Sequence, residues 1–200
     1  VKLLKTINLE PAKKEELCNL VFNHIVRIAK IVKDLHIFSK PQGGPPQVFP
    51  LCHSISETLA LVRYQIREGR VDFVWEPPAK PMYLFGDQNQ FQQVMINLLV
   101  NAIQAIEKSG TVTVIAEKKD RNCMVTVQDT GCGIPSHQLG RIFDPFFTTK
   151  RDWKGTGLGL AVSYRIVQLF KGSLSVQSSV GVGSRFIMTV PLFQKPSDKK

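Results

Sequence analysis

Two carboxamides, Asn97 and Asn101, lie four residues apart in an otherwise apolar stretch holding Val94, Ile96, Leu98, Leu99 and Ile103. At helical spacing they share one face, a turn apart. Asn is a middling helix former, so a pair on one stripe calls for a reason. An amide oxygen can ligate a hard cation such as Mg²⁺ without adding charge beside a bound phosphate. A hydrogen bond from that helix to a neighbouring helix or loop would answer equally well. A second candidate is Asp129-Thr130-Gly131-Cys132-Gly133, where glycines let the backbone turn sharply and leave one carboxylate at the end of a strand. Such a group can accept from an exocyclic amine, and an ordinary Asp-Gly turn has the same composition. A third, Gly155-Thr156-Gly157-Leu158-Gly159-Leu160, precedes a helical pattern, so amides at the helix start can face phosphate oxygens with the dipole assisting. It has neither the glycine spacing of a dinucleotide fingerprint nor the Lys-Ser/Thr of a P-loop.

The elements around these residues are legible from periodicity. Asp87 is a plausible N-cap for a long amphipathic helix to about residue 108, ended near Gly110. Strands are expected at 71–75, 82–85, 111–117, 123–128, 173–177 and 185–192, and helices at 55–67 and 158–170. The Gly-rich and aromatic stretch 129–159 follows no period. Strands and helices in runs rather than strict alternation favour an α+β two-layer sandwich over a doubly wound sheet. Residues 11–39 carry Leu17, Val21, His24, Ile28, Ile31, Leu35 and Phe38 at alternating four and three spacing, the seam of a helix that wants partners in a bundle or dimer. Pro41-Gln42-Gly43-Gly44-Pro45-Pro46 cannot continue it. The expected domains are therefore 1–41 and 42–200.

Composition narrows the classes. Of 200 residues, 43% are apolar and 21% charged, which excludes wholesale disorder. The net charge of +10 is dispersed, with no aromatic-interleaved basic stripe, so nucleic acid is not the expected partner. Four cysteines without a C-x-x-C pair read as reduced thiols in a cytoplasmic setting. No apolar run approaches the roughly eighteen residues of a membrane span, so any membrane contact would come through parts of a parent protein beyond this chain.

Taken in order, Asn97 with Asn101, Asp129-x-Gly131-x-Gly133, Phe143-Asp144-Pro145-Phe146-Phe147, Gly155-Thr156-Gly157-Leu158-Gly159 and Gly181-Val182-Gly183-Ser184 resemble the N, G1, F, G2 and final glycine boxes of sensor histidine kinases. These belong to the GHKL superfamily with gyrase, Hsp90 and MutL. The resemblance covers residues 48–193, and residues 14–40 look like the second helix of the kinase dimerisation hairpin. Residues 144–150 and 155–164 look most like the nitrogen-regulator type. The resemblance implies a Bergerat-type ATP-binding fold, ATP and Mg²⁺ as ligands, a homodimer through the hairpin and a response-regulator receiver domain as partner. Asn101 would be the principal Mg²⁺ ligand and Asn97 its neighbour near the phosphates. Asp129 would read the adenine amino group, with Gly131 and Gly133 permitting close approach and Ser184 supporting the contact. Phe143, Phe146 and Phe147 would anchor one end of a lid over 136–155, Gly155, Gly157 and Gly159 would hinge the other, and Lys150 would lie within it, with Thr156 and Leu158 beside the phosphates.

The family's phosphoacceptor box, a His followed by an acidic residue, is missing from this sequence. His24 stands between Asn23 and Ile25 with no acidic neighbour to act as base. The acceptor histidine is expected on a hairpin helix preceding Val1, so these residues alone should not autophosphorylate. Two rivals are a regulatory domain that senses nucleotide without turning it over, and a clamp-type ATPase. The latter usually has a Glu base on the Asn-bearing helix, whereas Gln92, Gln93, Val94, Met95 and Ile96 precede Asn97 here.

Overall fold

A computed structural model describes residues 10–39, 44–65, 70–149 and 156–194. The chain divides into two units, residues 1–40 and 41–200. The first is built on α1 (Pro11–Ser39). Of the expected seam, Val21, His24 and Ile28 are exposed and Leu17 is half-buried, while the side chains of Ile31, Leu35 and Phe38 lie outside the described set. The helix is apolar on more than that seam: Phe22 is 64% exposed and Ile25 59%, and Val32 is exposed as well. Together with Cys18 and Ala29 these positions repeat at the same four-three spacing on a second stripe.

In the second unit, Leu51, Ile55, Leu59 and Val62 are buried along α2 (Leu51–Gln65). The helix starts one turn earlier than its periodicity announced, because the Leu51 N–H donates to the Met82 carbonyl at 3.0 Å. Ile66, the last residue of the expected stripe, is outside the described residues. A short strand that the sequence did not announce, β1 (Gln47–Pro50), precedes α2 and pairs antiparallel with β3 (Tyr83–Gly86). The main sheet has five strands: β2 (Val71–Trp75), β4 (Gly110–Lys119), β5 (Asn122–Asp129), β6 (Ser173–Ser179) and β7 (Gly183–Pro191). Their order is β2-β4-β5-β7-β6, with β2 parallel to β4 and the rest antiparallel.

One face of this sheet supplies Val112, Val114, Val125, Val127, Phe186 and Met188 to the core. Against it lie α3 (Gln88–Ala105), through Val94, Met95, Leu98, Leu99 and Ala102, and α5 (Gly159–Leu169), through Val162 and Ile166. The fold is thus the expected α+β class. Asp87 does cap α3, its carboxylate accepting from the amides of Asn89 at 2.8 Å and Gln90 at 3.5 Å. The helix stops at Ala105 rather than near residue 108, because the Cys132 N–H takes the Ala105 carbonyl at 2.9 Å and Ile106 turns extended. That early stop brings the loop after β5 against the end of α3.

Candidate nucleotide-binding site

Asn97 and Asn101 stand with Gln93 on one half-buried stripe of α3. Asn97 donates from Nδ2 to the Gly159 carbonyl and to Ser163 Oγ, both at 3.1 Å, and accepts from Gln93 Nε2 at 3.4 Å on Oδ1. Its amide therefore does what the bland alternative proposed: it ties α3 to the first turn of α5. Ser163, buried and donating in turn to the Gly159 carbonyl at 2.9 Å, completes that tie. Sequence reasoning missed it, although its place four residues after Gly159 on the apolar face of α5 was the available signal.

Asp129 ends β5 and is 3% exposed. Its Oδ1 accepts from the amides of Gly131 at 2.8 Å and Ser184 at 3.3 Å. Burial pushes this carboxyl above the usual carboxylate range, and the two hydrogen bonds pull in the opposite direction. The glycines that follow approach protein backbone closely. A Cβ on Gly131 would stand 2.6 Å from the carbonyl carbon and oxygen of Ala105, and one on Gly133, whose φ is +74°, would collide with the Ser179 carbonyl. The Cys132 carbonyl accepts from the Gly181 amide at 2.8 Å. The loop bearing Asp129 is therefore wedged between the end of α3 and the β6–β7 turn.

Asp129 faces Ser184 on β7, and Ser184 faces Ser178 on β6, so the three make one polar row across the end of the sheet. Ser178 Oγ accepts from the Ile134 amide at 2.8 Å, donates to the Gly183 carbonyl at 2.8 Å and lies 3.0 Å from Ser184 Oγ. Ser178 was not singled out from the sequence. Its position six residues before Ser184, across a turn containing Gly181, was the only pointer.

The Phe-rich segment follows a single helical turn, α4 (Ser136–Leu139). Phe143 stacks on Tyr164 with ring centres 5.3 Å apart, and the Arg141 guanidinium lies 5.0 Å above the Phe147 ring. Phe146 has a φ of +68°, unusual for a bulky residue, and its amide donates to the Gly157 carbonyl at 2.9 Å. Gly157, with φ +69°, leaves no room for a Cβ against the Phe146 backbone. The two ends of the expected lid are thereby pinned to each other. Thr156 Oγ1 accepts from the Leu158 amide at 3.3 Å, Leu158 is buried, and Gly159 opens α5 with no side-chain cap. Lys150 and Gly155 lie outside the described residues.

Among the described residues, no His/Cys/Asp/Glu cluster could hold a metal ion. A carboxamide, an uncapped helix start and a buried strand-end acid are what the site offers. The first two suit a cation already carrying phosphates, the third an amine-bearing base.

The family described as "Histidine kinase-, DNA gyrase B-, and HSP90-like ATPase" matches residues 86–194. The signal transduction histidine-protein kinase AtoS of Escherichia coli (strain K12) is 35% identical over 193 residues, 96% of this chain and 31% of that protein. Sporulation kinase A of Bacillus subtilis (strain 168) is 36% identical over 178 residues, 88% of this chain and 29% of that protein. This chain thus spans less than a third of either relative. The nucleotide-free catalytic domain of histidine kinase ThkA superposes with a TM-score of 0.66 at 32% identity, covering 74% of this chain and 98% of that one. ThkA in complex with the response regulator protein TrrA gives 0.76 at 27%, covering 99% and 56%.

Proposed function

From the premise that the chain belongs to the ATPase family shared by histidine kinases, DNA gyrase B and HSP90, we propose that it binds Mg-ATP and presents the γ-phosphate to a histidine outside these residues. The observation that carries this reading is Asp129: a buried carboxylate at a strand end, with both backbone hydrogen bonds on one oxygen. The other oxygen is left to accept from the adenine amino group. The first amides of α5 take phosphate oxygens, and the ion, held by Asn101, supplies charge neutralisation. Asn97, spent on α5, fixes the spacing between the helix that would hold the metal and the one that would hold phosphate. Lys150 and Gly155 keep their proposed lid roles. Phosphoryl transfer asks mainly for positioning and charge stabilisation, which suits a site that offers backbone amides, carboxamides and a carboxylate.

The clamp-ATPase alternative gains nothing from Glu57, the α2 carboxylate that accepts from Gln88 at 3.4 Å and Gln92 at 3.1 Å. Those glutamines are about 100–180° around α3 from the Gln93–Asn97–Asn101 stripe. For the whole protein, the reading extends to a cytoplasmic kinase core whose α1 is half of a dimerisation hairpin. The two exposed apolar stripes of α1 support that role, because they require more than one neighbour. The phosphate would pass on to a response-regulator aspartate. Likeness to the nitrogen-regulator type rests on the Phe-rich and glycine segments alone.

Substituting Asn101→Ala should abolish Mg²⁺-dependent nucleotide binding in calorimetry. Retained affinity with Mg²⁺ would remove Asn101 from the metal.

A further inference from the structure

We propose that Ser178 is the positioning residue that makes the base-reading end of the site an acceptor-only surface, and so sets its preference for a 6-amino over a 6-oxo purine. The proposal rests on the assignment of Asp129 as the adenine reader and deepens it. A serine hydroxyl has one proton. The proton of Ser178 goes to the Gly183 carbonyl at 2.8 Å, a group that can only accept. The 3.0 Å contact between Ser178 Oγ and Ser184 Oγ must then be donated by Ser184. Ser178 Oγ accepts it together with the Ile134 amide at 2.8 Å, which fills both of its lone pairs.

Ser184, 5% exposed and beside Asp129 in the row, is thereby left with lone pairs and no free proton. Its backbone amide is committed as well, to Asp129 Oδ1. An ionised Asp129 also only accepts. An exocyclic amine finds partners at this end of the site, while a 6-carbonyl meets lone pairs alone. Buried polar groups left mismatched in this way are what give strong rejection of an analogue.

The test compares Mg-ATP with Mg-ITP, whose base carries a 6-carbonyl, by competitive displacement of a fluorescent nucleotide from the full chain. The wild type should favour ATP by tenfold or more. In Ser178→Ala the Ser184 hydroxyl is released to turn and donate to the 6-carbonyl, and the ATP-to-ITP ratio should fall about tenfold. In Ser178→Ala with Ser184→Ala no hydroxyl is left to turn, so the ratio should rise back toward the wild-type value. A purely structural role for Ser178 would weaken both nucleotides in parallel and leave the ratio alone. Ser178→Cys, of similar volume and with a poor acceptor, should lower the ratio too and replaces the alanine variant should that one fail to fold.

An unchanged ratio in a folded Ser178 variant would overturn the proposal while leaving the Asp129 assignment standing. A wild type that binds ITP as tightly as ATP would overturn both.

Discussion

Asp129, the proposed adenine reader, would set stability and binding against each other. Burial raises its pKa, so the native state takes up a proton more readily than the unfolded chain. Its contribution to stability then falls as pH rises from the ordinary carboxylate value through the raised one, and the cost is relieved in acid. Asp129→Asn keeps an oxygen to accept from Gly131 and Ser184 and cannot ionise. The variant should melt higher than wild type near pH 7.5, with the gap closing near pH 3.5. Its ATP affinity should fall roughly ten- to hundredfold, the value of a hydrogen bond to a charged group. A neutral-pH midpoint below wild type would contradict the sign. Asp129 and the two asparagines were legible because their side-chain types are odd where they stand. Ser178 and Ser163 were not, because serine is ordinary in a strand or helix and its partners come from other elements.

At the scale of elements, α3, β4, β5, α5 and β7 follow from local pattern and lie close to their expected bounds. The misses all depend on distant chain. The strand Gln47–Pro50 buries only Phe49, ends in proline, and exists through its pairing with β3. The parallel register of β2 on β4 likewise has no local signature. The glycines of the Asp129 loop were legible as a turn, but not as a wedge against Ala105. That wedge is open to test: Gly131→Ala places a Cβ 2.6 Å from the end of α3 and should cost about 1–3 kcal/mol by denaturant unfolding, as overpacking does. Gly140→Ala, with nothing within 4 Å of the added carbon, should stay within about 0.5 kcal/mol of wild type. Equal effects would remove the close approach as the reason for glycine at 131.

For the whole molecule, α1 presents apolar side chains on two stripes, with Phe22 and Ile25 exposed beside Val21 and Ile28. Apolar area of this extent is expected to be met by association. Ile25→Asp should shift the chain toward a monomer in sedimentation experiments without altering nucleotide affinity, because the site residues all lie in the other unit. A wild-type chain that sediments as a monomer at tens of micromolar would count against the bundle role.

The polar row from Asp129 through Ser184 to Ser178 spans three strands, and the last of them, β6, is one of the sheet's two edge strands. On the proposed reading, its recognition surface would be assembled only when that margin is zipped onto β7, and an occupant would in turn hold the margin shut. Fraying at this border and release of a bound base would then be one event seen from two sides.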